Sequence, residues 1–164
     1  MGRYVTAFGS LDKYEKGKLA VIDGDARHYC HSNVFEVASR SRPYEKIAVA
    51  KNLDYVIEAV RAEGTSDWLA ANHDEFVLVM DGEVTVSFAE PGDSAPAPGK
   101  DGTQRLARPP AGKKMGRIHL KRGHQALLPK GAAYQFSAAR PSVMIQQTIL
   151  GDLTREKWSE ICTR

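Results

Sequence analysis

The sequence predicts a mainly β protein whose short strands close into a small barrel or jelly roll, with one short helix near the C-terminal end. Apolar, β-branched runs recur along the chain, and Gly, Pro, Asn and Asp separate them at intervals of roughly 8–12 residues, which is typical of an all-β domain. A single amphipathic segment, residues 153–162, follows the last of these runs. With Asp152 as its N-cap, this segment fits a short helix.

The most strongly patterned stretch is residues 73–88, in which two apolar runs flank Asp81-Gly82. An Asp-Gly pair between such runs is typical of a β-hairpin with a two-residue turn. In that register, one face consists of Glu75, Val77, Val79, Val84, Val86 and Phe88. The other face consists of Phe76, Leu78, Met80, Glu83, Thr85 and Ser87. We therefore expect the first face to be buried together with its one carboxylate, Glu75, and we expect His73 to point the same way.

The remaining elements follow from the same patterns. Strands are predicted over residues 19–22, 33–38, 47–50, 54–63, 118–120, 125–128, 134–137 and 143–150, and a turn at Pro43. At 164 residues the chain is expected to form one domain. Residues 1–17 resemble an extended N-terminal arm that carries Tyr4, Phe8 and Tyr14. Residues 89–116 hold five of the eight prolines and are expected to form a surface loop.

Composition excludes several classes of function. A net charge of +3 is too small to indicate nucleic-acid binding. No apolar run approaches the roughly 20 residues that span a bilayer, and the first residues lack the apolar core of a signal peptide. Cys30 and Cys162 are far apart and belong to no Cys-x-x-Cys motif, so neither a zinc site nor a disulfide framework is indicated. We expect reduced thiols and a cytoplasmic protein.

Two half-motifs resemble the cupin family. Glu75 is followed after six residues by Gly82, and Gly123 is followed after five residues by Pro129-x-Gly131. The resemblance implies a cupin-type β-barrel. In that family two His, the Glu and a later His hold a metal ion, whereas here the matching positions fall on Trp68, Leu69, Ala70, Ala71 and Tyr134. Only Glu75 is left of the ligand set, and a transition metal needs three or four ligands, so we predict no metal in this chain.

His73 leaves two interpretations open. Together with Glu75 and either His119 or His124 it could form a new metal site, which would make the chain a self-sufficient cupin enzyme. Alternatively, His73 hydrogen-bonds to Glu75 or to a backbone group and helps to satisfy a buried carboxylate. We favour the second interpretation, in which His73 and Glu75 are a buried structural pair.

Longer strings carry a closer resemblance. Residues 32–39, 43–46, 74–83 and 122–129 resemble the small subunit of two-subunit hydroquinone 1,2-dioxygenases. In that family a larger cupin subunit holds Fe(II) and cleaves the ring of hydroquinone, an aromatic diol, during degradation of compounds such as 4-nitrophenol. The resemblance implies that this chain is the metal-free, non-catalytic partner in an α2β2 heterotetramer. The alternative is a stand-alone ligand-binding or regulatory cupin.

Trp68 occupies the region in which the family's paired metal ligands would lie. It could plug the end of the barrel, or it could cover the aromatic substrate across the subunit interface as a lid. Gly64-Thr65-Ser66 precedes it and would give such a lid freedom to move.

Overall fold

The computed structural model describes residues 9–17, 20, 22–23 and 31–162. Within these residues the chain forms a curled ten-stranded sheet, as the sequence predicts, and two short α-helices, of which the sequence predicts only the one near the C-terminal end. The helices are α1 (Val34–Arg40) and α2 (Trp158–Ile161). The strands are β1 (Lys46–Asn52), β2 (Tyr55–Thr65), β3 (Leu69–Ala70), β4 (Glu75–Asp81), β5 (Glu83–Ala89), β6 (Gln104–Arg105), β7 (Lys114–Lys121), β8 (Gln125–Leu128), β9 (Ala133–Ile149) and β10 (Thr154–Arg155).

Strand β9 organises the sheet. It is 17 residues long and pairs antiparallel with β2 along one edge. Along its other edge it pairs with β4 and then β5, with Gln147 opposite Phe76 and Phe136 opposite Val86. Strands β8 and β7 continue the sheet beyond β4 and β5. The inward side chains of these strands form the main core.

The predicted hairpin at Asp81-Gly82 is wrong. Strands β4 and β5 pair with successive halves of β9, and the chain passes from one to the other at Gly82, whose φ is 78°. The pairing register shifts by one residue between Val79 and Asp81, which is a β-bulge. The inner face is nevertheless the predicted one: Glu75, Val77, Val79, Val84 and Val86 are buried, and Phe88 packs against the core. A bulge and a two-residue turn both shift the alternation of inward and outward side chains by one residue. The sequence pattern alone therefore cannot distinguish a bulge from a turn.

Residues 33–38, predicted as a strand, belong to α1. Asn33 is the N-cap, and its side-chain oxygen accepts hydrogen bonds from the backbone N–H groups of Phe35 (3.0 Å) and Glu36 (3.3 Å). Glu36 also pairs with Arg40 one turn later, at 2.8 Å. The helix packs Phe35, Val37 and Ala38 inward. Local capping therefore outweighs the strand propensity of the two valines.

The strands predicted at 47–50, 54–63, 118–120 and 125–128 are present. Residues 134–137 and 143–150 fall almost wholly within β9, and Pro43 lies in a turn.

The C-terminal helix is shorter than predicted. Thr154–Arg155 instead form β10, parallel to β1, and α2 begins only at Trp158, so Asp152 does not cap it. Residues 19 and 21 of the strand predicted at 19–22, as well as Tyr4 and Phe8 of the arm, lie outside the described residues, whereas Tyr14 packs beside α1.

The loop of residues 89–116 is less exposed than predicted. Much of it is exposed, but β6 pairs with β3, and Thr103 and Leu106 are buried. Gly102 packs against the backbone of Gly151, where a Cβ atom would come within 2.5 Å of the neighbouring Cα. This close contact holds the loop against the barrel and brings Thr103 into its interior.

Among the described residues, no helix is long and apolar enough to cross a membrane. Cys162, directly after α2, is disulfide-bonded, so the expectation of a reduced thiol is wrong at this position.

Asn33→Ala should lower the free energy of unfolding by about 1 kcal/mol, because two N–H groups of the first turn lose their acceptor. Chemical denaturation would measure the loss. Asn33→Ser, which can still cap, should recover most of it. Equal stability of the wild type and the Asn33→Ala variant would show that the cap contributes nothing.

Candidate functional site

The candidate site is a buried polar network inside the barrel, centred on Glu75. Glu75 is the first residue of β4, and only 2% of its surface is exposed. Its Oε1 accepts hydrogen bonds from the hydroxyls of Thr103 and Thr148, each at 2.5 Å, and its Oε2 accepts one from Tyr134. Three hydroxyl donors on two oxygens are the pattern of a well-satisfied buried carboxylate.

Gln146 connects Glu75 to a second charged group. Its amide nitrogen donates to the Tyr134 hydroxyl at 3.1 Å and to Thr103 at 3.3 Å. Its amide oxygen accepts from Lys46 Nζ at 2.6 Å. Because an ammonium group can only donate, this contact fixes which end of the amide faces Lys46.

Lys46 in turn lies against a second acid. Its Nζ donates to Glu58 Oε2 at 3.1 Å, and Glu58 Oε1 accepts from Thr154 at 2.7 Å. Both charged side chains are almost fully buried. A buried ion pair loses solvation energy, which hydrogen bonds to further groups must offset. The network is therefore continuous from Thr154 on one side of the barrel to Glu75 on the other.

The Tyr134 hydroxyl donates a hydrogen bond inside this network and stays protonated. Burial, together with the charge of Glu75 and the hydrogen bond to it, raises the pKa of the Tyr134 hydroxyl well above its usual value. The ring is also fixed, since it packs edge-on against Phe136 with the ring centres 5.4 Å apart. Tyr134 therefore keeps its proton and its orientation towards Glu75.

His73 reaches Glu75 only through Thr148. Its Nε2 lies 3.0 Å from the Thr148 hydroxyl and 3.9 Å from Glu75 Oε1. Nε2 also accepts a hydrogen bond from the backbone N–H of Ile149 at 3.3 Å. His73 and Glu75, the predicted pair, therefore lie close together, but the hydroxyl of Thr148 lies between them.

These side chains do not fit a metal ion. Both oxygens of Glu75 are taken by hydroxyl donors, and Tyr134 stands where the cupin family has its later His. Leu69, Ala70 and Ala71, at the paired-His positions, are buried and apolar. Over the described residues no three His, Cys, Asp or Glu side chains come close enough to hold a metal.

The other two histidines considered as ligands lie elsewhere. His119 Nδ1 lies 2.8 Å from the Thr85 hydroxyl on the exposed side of the sheet. His124 lies in the turn after β7, where its ring accepts from the Lys121 N–H at 3.2 Å. Neither approaches Glu75 in the described contacts, so they do not complete the alternative metal site. That the chain binds no metal stays a prediction.

Trp68 is half-buried and packs on a small cluster formed by Ala70, Leu106 and Ala133. The preceding segment is not a free hinge. Gly64, with φ 71°, and Thr65 are paired with β9, and the Ser66 N–H donates to Phe136 O at 2.9 Å. Trp68 is therefore held on a fixed stretch of backbone, which differs from the mobile segment expected from the glycine.

Six members of the network were not anticipated: Lys46, Glu58, Thr103, Gln146, Thr148 and Thr154. Gln146 and Thr148 alternate with the apolar Ile145 and Ile149 in β9, a pattern that predicts the polar side chains on the outer face, so alternation could not have identified them. Thr103 lies in an irregular loop and gives no periodic signal.

Among solved structures, two chains of hydroquinone 1,2-dioxygenases are closely similar to this chain. No protein-family model and no curated protein matches the chain. The chain is 54% identical to a chain in the crystal structure of hydroquinone 1,2-dioxygenase PnpCD with Cd2+ and 4-hydroxybenzonitrile, with a TM-score of 0.91, over 99% of this chain and 98% of that chain. It is 51% identical to a chain of hydroquinone 1,2-dioxygenase from Sphingomonas sp. TTNP3 with 4-hydroxybenzoate bound, with a TM-score of 0.93, over 98% of both chains.

More distant matches concern the fold alone. A cupin-2 domain protein from Shewanella frigidimarina NCIMB 400 matches 70% of this chain and 89% of its own length at 18% identity, with a TM-score of 0.51. A second match is to a chain of PnpCD in complex with Fe3+, at 12% identity and a TM-score of 0.60. The aligned part is 84% of this chain but 38% of that chain, which is therefore more than twice as long.

Glu75→Ala should lower the free energy of unfolding by about 3–5 kcal/mol, because it leaves three buried hydroxyls without their acceptor. Glu75→Gln should cost less, since an amide oxygen still accepts. Denaturant unfolding would measure both, with the exposed Glu90→Ala as the control. A loss no larger for Glu75→Ala than for Glu90→Ala would contradict a structural role for the network.

Proposed function

Since the chain belongs to the family of cupin-fold hydroquinone 1,2-dioxygenase chains, we propose that it is the small, non-catalytic subunit of such a dioxygenase. In this role it supports a larger cupin subunit that holds Fe(II) and cleaves hydroquinone in aromatic-compound degradation, for example of 4-nitrophenol. The assembly would contain two copies of each chain and would act in the cytoplasm.

One observation carries the proposal: hydroxyl and amide groups fill the space around Glu75 in which a cupin would hold its metal. Ring cleavage by a cupin dioxygenase needs a metal with open positions for substrate and oxygen. A carboxylate that already accepts three hydrogen bonds is a poor ligand, and the side chains around it are hydroxyls and an amide. The same network argues against a self-sufficient enzyme built on His73 and Glu75.

The outer face of the sheet supports the existence of a protein partner. One row runs across four strands, from Ile57 through Gln147 and Phe76 to Leu127. Apolar side chains dominate this face: Tyr55, Ile57, Phe76, Leu78, Leu127, Ile145 and Ile149. Exposed apolar faces of this kind mark interaction sites. The longer cupin-fold chain found in PnpCD is the partner that fits the proposal.

Purified alone, the chain should aggregate or self-associate, and co-expression with a larger cupin subunit should give a soluble complex that cleaves hydroquinone. Leu127→Asp should weaken that complex, because a charge would be buried in an apolar interface. Met115→Asp is the matched control, since Leu127 and Met115 are exposed to 58% and 55%. Size-exclusion chromatography and hydroquinone turnover would measure the outcome.

Metal analysis of the same samples provides an independent check. The iron content should follow the larger subunit and should not change with His73→Ala. A stable monomer that is indifferent to the larger subunit, or about one equivalent of metal in the isolated chain that is lost with His73→Ala, would overturn the proposed role.

We further propose that Trp68 contributes a fixed apolar wall to the substrate site of the partner. Its indole would add apolar contact worth about 1.5–3 kcal/mol. Trp68→Ala should therefore raise KM for hydroquinone or lower kcat about tenfold while assembly and iron content stay unchanged. Trp158→Ala, which removes the other tryptophan, is the control. If Trp68→Ala dissociates the complex while activity per intact complex is unchanged, Trp68 is only a plug of the barrel end.

A further inference from the structure

A separate pocket opens at the end of the barrel near Tyr44. Its volume is about 320 Å³, within the range of sites that bind small molecules. Residues from four parts of the chain line it: residues 42–46 before and at the start of β1, the link from β2 to β3, Arg105 of β6, and the segment that ends in β10. None of the residues hydrogen-bonded to Glu75 lines this pocket, and of the network described above only Lys46 reaches it.

The pocket has an excess of positive charge. Arg42, Lys46, Arg105 and Arg155 line it, whereas Glu45 and Asp67 are its only acidic lining residues. The charge of Lys46, the most buried of the four cations, is matched by Glu58. The excess therefore comes from the three arginines, all of which are exposed.

The three arginines have weak competing partners. Arg105 pairs with Asp67 at 2.8 Å, but both side chains are more than half exposed, and exposed ion pairs contribute little free energy. Arg42 is 84% exposed and lies 3.6 Å from a Glu45 oxygen that Lys157 already holds at 3.0 Å.

Arg155 is engaged through a backbone group instead of an acid. Its guanidinium donates to the carbonyl of Asp152 at 3.3 Å. All three guanidinium groups can therefore turn towards a bound anion at small cost, and guanidinium binds carboxylates in a two-pronged geometry.

Tyr44 gives the pocket a rigid aromatic wall. Its φ is 59°, a conformation that a residue other than glycine holds only when its surroundings fix it. Here the Tyr44 N–H donates to Arg61 O at 2.8 Å, its hydroxyl donates to Gly64 O at 2.7 Å, and its ring stacks on Phe136 with the centres 6.5 Å apart.

Tyr44 also stays uncharged. Burial, together with the charge of Glu63, raises the pKa of Tyr44 to about 12. The phenol therefore does not repel an anion at neutral pH. Leu69 and Leu153 add apolar surface beside it.

We propose that this pocket binds a small organic carboxylate, with its charge held by Arg42, Arg105 and Arg155 and its apolar body against Tyr44, Leu69 and Leu153. The apolar wall is what favours an organic anion over an inorganic one. The proposal does not depend on the chain being a dioxygenase subunit, since every residue in it belongs to this chain.

Calorimetric titration of the full chain with benzoate at low salt tests the proposal, and benzyl alcohol serves as the neutral analogue. We expect saturable binding of benzoate with one site per chain and no measurable binding of benzyl alcohol. The triple variant Arg42→Gln/Arg105→Gln/Arg155→Gln should weaken benzoate binding at least tenfold. Arg140→Gln, which removes one positive charge from a different cleft, should leave it unchanged. The variants alter exposed side chains, and circular dichroism would verify that they fold.

Absence of saturable benzoate binding would overturn the proposal. It would also be overturned if Arg140→Gln lost a third or more of the binding free energy that the triple variant loses, or if inorganic phosphate bound as tightly as benzoate, because either result indicates charge attraction alone. If the chain needs a larger subunit for solubility, the titration uses the complex, and the difference between wild type and the triple variant isolates this pocket from any site on the partner.

Discussion

The burial of one carboxylate is the constraint on which the interior of this protein depends. Glu75 lies on the inner face of β4 with only 2% of its surface exposed, so its oxygens depend on other protein groups for hydrogen bonds. Its donors come from distant parts of the chain, Thr103 from the long loop and Tyr134 and Thr148 from opposite ends of β9. A buried carboxylate without these donors would cost several kcal/mol, so the loop and both ends of β9 are held together by the same requirement.

The sequence allowed the fold class and the inner face of residues 73–88 to be predicted, because alternation reports burial directly. It did not allow the path of the chain at Gly82 to be predicted, because a bulge and a tight turn leave the same alternation. Residues 33–38 illustrate a different limit. Two valines and a phenylalanine favour a strand, but the side chain of Asn33 caps the first turn of a helix and decides the structure.

The candidate site could be predicted only in part. The burial of Glu75 and the lack of the family's histidines follow from local spacing, as does the approach of His73. The partners of Glu75 do not, since Thr103 and Thr148 lie 28 and 73 residues away along the chain. The link to Lys46 spans 100 residues through Gln146. Such pairings depend on the register of β9 against its neighbours, which the pattern of a single strand does not contain.

The closed hydrogen-bond network has a consequence for how such a barrel can change over evolutionary time. A histidine at position 134 would remove a donor to Glu75 and an acceptor of Gln146, and it would bring no second ligand with it. Each single step towards a metal site would therefore pass through a less stable protein, and only several simultaneous replacements would avoid that intermediate. The interior thus acts as a barrier to the appearance of a metal site at this position.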